Sequence, residues 1–397
     1  MNYSIKIWRR CYMTLMQKYP RIHDLMPRAK RRLPPFVHAY LAAGTGAGTA
    51  VGRNEERLTQ IELVPAFLRG RVTPNLSASL FGKKYDLPFG ISPIGLSSLI
   101  WPGAERYLAR VAAKSNIPYA LSTVAGDSIE AIGPVAGENG WFQLYAPNDK
   151  AIMRDLLSRA RDCGFSTLVV TVDVPGPSRR EDMARSGAPI GSRNAMAITP
   201  QIFWQSALHP TWSFAALKNG GKFRFKNLER YHKGEDFTNI TQFIGSQLNG
   251  SLDWNYLDNI RAEWGGPMIL KGILSGQDAT RAIAAGADGL IVSNHGGRQL
   301  DAVPASIDLL ATIRATVGPK VPLLFDSGVR SGLDVARALA AGADFVMCGR
   351  AFMFGVAALG EAGADHVCAI LKDELENTMV QLGLERLADL PTALNHQ

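Results

Sequence analysis

Short apolar runs that end in polar residues recur along this chain at a near-regular interval, and the recurrence predicts its architecture. Marked by the last residue of each, the runs end at Pro93, Ser122, Tyr145, Thr171, Lys271, Ser293, Asp326 and Gly349, spaced by 29, 23, 26, 100, 22, 33 and 23 residues. Gly289-Leu290-Ile291-Val292 is typical, an uninterrupted apolar stretch that reads as a buried strand with polar residues emerging at its C-terminal end. Between the runs lie helix-like segments, Ala104 to Ser115, Lys150 to Cys163, Gln277 to Ala285 and Leu333 to Ala341, with alanine-rich faces and glycine after several of them. Eight alternations of strand and helix predict an α/β fold, a parallel (β/α)8 TIM barrel. Chemistry in such barrels sits at the C-terminal ends of the strands, and the polar residues that packing does not explain fall there.

The 100-residue gap breaks the period, so about 50 to 70 residues are inserted after the fourth strand, a length usual for functional or disordered loops. Residues 1–85 are expected to form a basic arm and a helical extension packed on the barrel. Residues 86–390 form the barrel itself, with 184–234 as the inserted segment. Gly44-Thr45-Gly46-Ala47-Gly48 follows no strand and has its third glycine misplaced for a dinucleotide fingerprint, so it reads as a flexible turn.

A chain of 397 residues, 46% hydrophobic and 20% charged, can bury one large core. Its four cysteines, Cys11, Cys163, Cys348 and Cys368, show no CxxC or metal-like spacing, so a reducing compartment is expected, without a disulfide framework or a structural metal. No apolar run approaches the roughly 18 residues of a spanning helix, and the first residues lack the apolar core of a secretory signal. A cytoplasmic protein is the expectation.

Charge alters that picture. The net +8 is concentrated in residues 1–32, with nine Lys or Arg against Asp24, and in residues 184–234, with eight against Glu229. Neither stretch carries a nucleic-acid motif, so no nucleic-acid partner is expected and an anionic membrane surface fits better. The inserted segment from Pro200 to Phe214 is rich in aromatics and is followed by Lys218, Lys222, Arg224, Lys226 and Arg230. This is the composition of an interfacial segment, in which aromatics enter the headgroup level and basic residues contribute roughly 1 kcal/mol each. Ile5, Ile7, Trp8, Met13, Leu15 and Met16 in the basic N-terminal arm offer a second contact. The chain is therefore expected on the inner face of the cell membrane. In the alternative reading, the aromatics cover the barrel mouth and the basic residues are solvated.

Candidate chemistry is densest in Ser293-Asn294-His295-Gly296-Gly297-Arg298-Gln299-Leu300-Asp301, just after the sixth strand. His295 can take a proton near neutral pH, and Arg298 offers a planar fork that matches a carboxylate. The loop thus suits proton abstraction from an anionic substrate; a polar loop with Asp301 as a helix cap is the alternative. Phe325-Asp326-Ser327-Gly328-Val329-Arg330-Ser331-Gly332 and Met347-Cys348-Gly349-Arg350 close strands seven and eight, where barrels often bind phosphate through backbone N–H groups. Their glycines permit close approach, and Arg330 and Arg350 supply charge, which makes a site for one terminal phosphate. Ile269-Leu270-Lys271-Gly272 ends strand five with a lysine that packing does not explain.

The run from Ser293 to Asp301 resembles the signature of the FMN-dependent 2-hydroxy acid dehydrogenase and oxidase family, which includes glycolate oxidase, L-lactate dehydrogenases and mandelate dehydrogenase. The resemblance extends from about Leu33 to about Leu390 and implies FMN as cofactor. It implies phosphate contacts from Gly328, Arg330, Gly349 and Arg350 and a ribityl contact from Asp326. Lys271 would face the N1 and C2 carbonyl edge of the flavin; Ser122, Gln143 and Thr171 would bond its pyrimidine side, with Ile94, Gly95 and Ser293 completing the cofactor site. Arg180 and Arg298 would clamp the substrate carboxylate, aided by Tyr40 and Tyr145. His295 would be the base, held by Asp173. The substrate would lose its hydroxyl proton with hydride transfer or its α-proton to give a carbanion, and either route needs the same base.

Gly95 and Val124 stand where glycolate oxidase carries larger groups, and Ser92-Pro93-Ile94-Gly95-Leu96 with Leu121-Ser122-Thr123-Val124 looks more like the mandelate dehydrogenase branch. A roomier pocket for an aromatic or branched L-2-hydroxy acid is therefore expected. The turn after Tyr40 lacks the acidic residues common in the family. The His-Pro-x-Trp element, His209 to Trp212, resembles the insertion of the membrane-associated members, which implies quinone as electron acceptor, and the family implies a homotetramer. A soluble oxidase that reduces oxygen to peroxide, and a non-catalytic barrel that binds FMN or a phosphate, are the two alternatives.

Overall fold

The computed structural model describes residues 14–187, 199–221, 224–232, 243–248 and 252–395. Eight parallel strands close a barrel: β1 Phe89–Ile91, β2 Tyr119–Ser122, β3 Gly140–Leu144, β4 Thr167–Thr171, β5 Met268–Ile273, β6 Gly289–Val292, β7 Leu323–Asp326 and β8 Phe345–Cys348. They follow chain order around the ring, and β8 pairs with β1 to complete it. Each strand ends within two residues of the end predicted from the apolar runs. The helices Ala104–Lys114, Lys150–Asp162, Gly276–Ala284 and Gly332–Ala340 match the segments read from the sequence to within a residue.

The barrel is filled from below. A short antiparallel ribbon, Ala78–Leu80 with Lys83–Tyr85, precedes β1 and carries Leu80, Phe81 and Tyr85 into its N-terminal end. There they pack with Ala120, Trp141, Val169, Ile269, Ile291, Leu324, Phe345 and Met347. The Trp141 indole N–H donates to the Tyr85 hydroxyl at 3.3 Å, so the one polar pair in this layer is satisfied. With its floor closed by side chains, the barrel has an open end only at the C-terminal ends of its strands.

Three helices of the extension, α1 Ile22–Arg32, α2 Pro35–Ala42 and α3 Thr49–Thr59, pack on the barrel and supply residues to its mouth. The insertion after β4 includes α4 Pro200–Ala207 and α5 Pro210–Lys218. Trp212 is 4% exposed; its indole N–H donates to the Leu99 and Ile100 carbonyls, and its ring meets Phe36 edge-on at 5.8 Å. Together with Ile202 it docks this pair of helices, leaving Phe203, Trp204, Leu208, Phe214 and Leu217 exposed.

Parts of the interfacial reading change. Trp212 is a docking residue, and the His209 ring faces the Gln205 carbonyl at 2.6 Å, so the His-Pro-x-Trp element is an internal joint. Arg224, Lys226 and Arg230 lie beside Glu229, Asp127 and Asp155 at 2.8, 2.7 and 3.9 Å, so these three of the basic residues that composition offered to a membrane have acid partners. Leu15 and Met16 pack on the core, while Ile5, Ile7, Trp8, Met13 and Lys222 lie outside the described residues. No helix among the described residues is long and apolar enough to cross a membrane.

Candidate active site

Strand side chains alternate between the two faces of a sheet, so the residue two places after each plug residue points into the barrel one layer higher. Ala120 is followed in this way by Ser122, Trp141 by Gln143, Val169 by Thr171, Ile269 by Lys271, Ile291 by Ser293 and Leu324 by Asp326. The lower layer is apolar and the upper one polar. Ser122 Oγ donates to Gln143 Oε1, and Gln143 Nε2 donates to Thr171 Oγ1, both at 2.9 Å. Across the mouth, Lys271 Nζ lies 2.9 Å from Asp326 Oδ2 and donates to Ser293 Oγ at 2.8 Å. Burial opposes the Lys271 charge, but Asp326 and then Asp173 outweigh it and hold its pKa above the ordinary lysine value. The barrel therefore carries a fixed cation at its centre.

Above this layer the loop after β6 brings in His295. Its φ of 58° lies in the left-handed region, which costs a non-glycine residue about 1 kcal/mol, and Gly296 and Gly297 continue at 63° and 74°. The two glycines also make space: a Cβ on Gly296 would lie 2.8 Å from Arg350 Nη1, and one on Gly297 would lie 2.9 Å from the Val51 backbone nitrogen. His295 Nδ1 is 2.8 Å from Asp173 Oδ1, and its Nε2 is 3.4 Å from the Tyr145 hydroxyl. Asp173 reaches it because Gly272, at φ 108°, has no side chain; a Cβ there would lie 2.5 Å from the Asp173 Cβ.

Burial is the largest influence on His295 and lowers its pKa below the ordinary value, with Asp173 opposing and Lys271 and Arg180 assisting. Asp173 is pushed up by burial, yet His295 and Lys271 outweigh that and hold it below the carboxylate range. At neutral pH the pair is thus a neutral imidazole against a carboxylate, with Nε2 directed at the mouth and able to accept a proton. The imidazolium that would form lies beside a negative charge already in place.

Arg180, Arg298 and Arg350 gather around this pair. Arg298 donates to the Tyr40 and Ala43 carbonyls at 2.8 and 3.2 Å and stacks on the Tyr40 ring, 5.0 Å from its centroid. Burial, then the like charge of Arg180, brings its pKa down to about 10. Arg180, also left-handed at φ 46°, donates from Nε to Ser178 Oγ. Arg350 donates to the Leu41, Gly296 and Ala43 carbonyls, and burial with Arg298 and Arg330 nearby drives its pKa well below the ordinary value. None of these three has a carboxylate within 4.0 Å among the described residues, so an anion brought from outside would stabilise each. Arg330 pairs with Glu55 at 2.8 Å, but its Nε is buried with no hydrogen-bond partner. Arg350 opens the helix Arg350–Leu359, so an N-terminal helix turn adds backbone N–H groups to the same place. Two arginines, an orphaned N–H and a helix start fit a phosphate monoester.

Every site residue read from the sequence lies at the mouth or in the polar layer beneath it. Tyr40 differs in its bonding: its hydroxyl donates to the Gly95 carbonyl at 2.7 Å, so its proton faces the protein. Val124 lies at Gly95, where an added Cβ would approach Val124 Cγ2 to 2.7 Å. The Gly44 to Gly48 turn is no loose loop. Glu181 accepts from the Gly46 N–H, and Asp301 accepts from those of Ala47 and Ala50, so Asp301 is a helix cap.

Sequence reading missed Ser92, whose Oγ is 3.4 Å from Asp326 Oδ2 and which the period-two count from Gly90 would have found. It also missed Asn54, whose side-chain amide exchanges bonds of 2.9 and 2.7 Å with that of Asn294 and ties the His295 loop to α3. These two are 240 residues apart, and no local pattern joins them.

Comparisons with known proteins agree with this geometry. The model of the FMN-dependent dehydrogenase family matches residues 29–396. An L-lactate dehydrogenase of Ectopseudomonas mendocina (strain ymp) is 38% identical over 376 residues, covering 94% of this chain and 97% of that protein. Another from Serratia proteamaculans (strain 568) is 39% identical over 368 residues, covering 92% and 96%. Among solved structures, the monotopic membrane protein (S)-mandelate dehydrogenase superposes with a TM-score of 0.89 at 34% identity over 95% of this chain and 99% of that one. A mandelate oxidase superposes at 0.79 with 31% identity, over 95% and 98%. A closed barrel with a polar, arginine-rich mouth, matched over nearly its whole length, makes this chain a member of the FMN-dependent dehydrogenase family, a flavoenzyme that oxidises 2-hydroxy acids.

Proposed function

We propose that this enzyme oxidises an L-2-hydroxy acid to the 2-oxo acid with His295 as the base, and passes the electrons to a quinone or another membrane acceptor. The observation that carries the reading is the His295–Asp173 pair at 2.8 Å, set beside Arg180 and Arg298, which have no acid partner among the described residues. Arg180 and Arg298 bind the substrate carboxylate and orient the α-carbon, which converts encounter into a fixed geometry. Tyr145 faces the same Nε2 and lies where it can bond the substrate oxygen. His295 takes the proton released by the substrate, and Asp173 stabilises the resulting imidazolium.

Arg330 and Arg350, with the backbone at Gly328 and Gly349, hold the FMN phosphate. Asp326 holds the ribityl chain, and Ser122, Gln143, Thr171 and Lys271 the ring edge, lined by Ile94, Gly95 and Ser293. Bound FMN supplies the two-electron acceptor. With FMN bound, the Lys271 charge would favour negative charge on that edge. The small residue types at Gly95 and Val124 support a substrate larger than glycolate, with Val124 itself packed against Gly95.

The exposed Phe203, Trp204, Leu208, Phe214 and Leu217 on α4 and α5 support docking on a membrane, chiefly through apolar burial since most of the nearby basic residues have acid partners. The superposition on a monotopic membrane enzyme supports the same reading. The resemblance to an oxidase supports a second one, in which oxygen accepts the electrons.

Anaerobic titration of the purified protein with L-2-hydroxy acids from lactate to mandelate, followed at the oxidised-flavin absorbance and then exposed to air, tests both. Bleaching with slow reoxidation is the expected result. Rapid reoxidation with peroxide release would replace the dehydrogenase by an oxidase, and a yellow protein that no hydroxy acid bleaches would overturn the activity.

A further inference from the structure

The insertion leaves the barrel after β4, yet its returning arm is fastened to β2. Asn227, on that arm, has no exposed surface, and its side chain is fully bonded. Its Nδ2 donates to the carbonyls of Ser122 and Thr123, each at 3.3 Å, and its Oδ1 accepts from the Ile129 N–H at 2.8 Å. One amide thus closes the turn that carries the chain out of β2. The neighbouring Lys226 pairs with Asp127 of the same turn at 2.7 Å, and Arg159 donates to the Asn227 carbonyl at 3.0 Å. Phe225 and Leu228, 5% and 1% exposed, anchor the arm on either side.

The peptides that Asn227 grips belong to residues at the mouth. Ser122 Oγ bonds Gln143 and accepts from the Val124 N–H at 3.3 Å. Thr123 Oγ1 donates to the Gln143 carbonyl at 2.6 Å and accepts from the Tyr145 N–H at 3.0 Å. A shift of the 122–124 peptides therefore reaches the Ser122–Gln143–Thr171 chain, Val124 at the pocket edge and the backbone that carries Tyr145. The Thr123 carbonyl and the Ile129 N–H would lose this partner if Asn227 were removed, while the Ser122 carbonyl would keep the Ala125 N–H at 3.1 Å; a buried polar group left without a partner is costly.

We propose that Asn227 is a positioning residue of the active site, so that the returning arm of the inserted segment sets the geometry in which cofactor and substrate are held. The inference rests on the placement of the flavin ring edge at Ser122, Gln143 and Thr171, given above as part of the proposed function.

The test uses the purified holoenzyme and two readings beside activity, the release of FMN on dilution, followed by flavin fluorescence, and the visible circular dichroism of the bound flavin. Asn227→Ala is expected to retain FMN roughly tenfold more weakly and to alter the visible dichroism, with KM raised more than kcat is lowered. Lys226→Met, which loosens the same arm without emptying a buried site, is expected to change the same readings in the same direction by roughly threefold. It decides the matter alone if Asn227→Ala fails to fold. Wild-type FMN release and dichroism in the folded variants, even with lowered melting temperatures, would reduce the arm to a structural brace and overturn the proposal. Gln143→Ala separates the two levels: if it also keeps FMN unchanged, the flavin placement itself falls and the inference with it; if it releases FMN while the arm variants do not, the inference alone falls.

Discussion

Replacing Asp173 by Asn removes one negative charge from beside His295 with almost no change in volume. Asp173 Oδ1 lies 2.8 Å from Nδ1, so the imidazolium formed on proton uptake faces the carboxylate across a charge-assisted hydrogen bond. With the charges about 4 Å apart in an effective dielectric near 20, their attraction is about 4 kcal/mol. An asparagine oxygen in the same place recovers part of that as a neutral hydrogen bond. A net loss of about 3 kcal/mol corresponds to a flavin-reduction rate lower by roughly two orders of magnitude.

KM should change by less than about threefold, because the proposed clamp is Arg180 and Arg298 and neither is held by Asp173. Burial already holds the His295 pKa below its ordinary value against the pull of Asp173, so removing the carboxylate pushes it lower. The rate needs neutral His295 and is lost as pH falls through its pKa, so the acid limb of the profile moves to lower pH in the variant. Anaerobic stopped-flow reduction by (S)-mandelate and L-lactate between pH 4.5 and 9 measures both effects. A rate within about threefold of wild type across that range would refute the reasoning, because it would mean that no imidazolium forms in the step observed.

Arg350→Met should release FMN on dilution, with affinity reduced by roughly a hundredfold as one charged phosphate donor is lost, measured by flavin fluorescence; unchanged affinity would remove Arg350 from the phosphate site. Phe214→Ser with Leu217→Ser takes two exposed apolar side chains from α5 and should weaken binding to anionic vesicles by roughly a hundredfold, at about 1.5 kcal/mol each, in a flotation assay. Equal flotation would move the contact elsewhere.

Glu374 accepts from the Gly332 N–H at the start of its helix, and burial, with Asp334 and Asp373 adding, raises its pKa from 4.5 to about 7. The folded state therefore binds the proton more tightly than the unfolded chain. The associated stability is present below pH 4.5 and lost as pH rises through 7. Glu374→Gln should remove that loss and gain about 1–2 kcal/mol at pH 8 relative to pH 4.5, after allowance for solvent screening, read from melting curves at the two pH values. A parallel loss of stability in both proteins would contradict it.

The barrel was legible in the sequence because a buried parallel strand is a continuous apolar run, and β4, β6 and β7 announce themselves in that way. The chemistry at their ends was legible too. A polar residue placed two positions above an inward apolar one, as in Lys271 after Ile269 or Asp326 after Leu324, has no packing reason to be there. Only the structure shows that the glycines at 272, 296 and 297 make room for Asp173, Arg350 and α3.

What local pattern could not supply was partnership across the chain. Composition offered the basic residues of the insertion to a membrane, while folding sets Lys226 beside Asp127 and Arg230 beside Asp155. Trp212 read as an interfacial aromatic and is a buried joint against Leu99 and Ile100. Asn54 with Asn294, Asn227 with Ser122 and Thr123, and Glu55 with Arg330 bring distant segments together. Periodicity along one strand or helix determines which face a side chain takes, because the backbone repeat is local. Which charge is neutralised, which donor is left for a ligand and which loop is held still depend on the surface that arrives opposite, and that is decided only when the chain has closed.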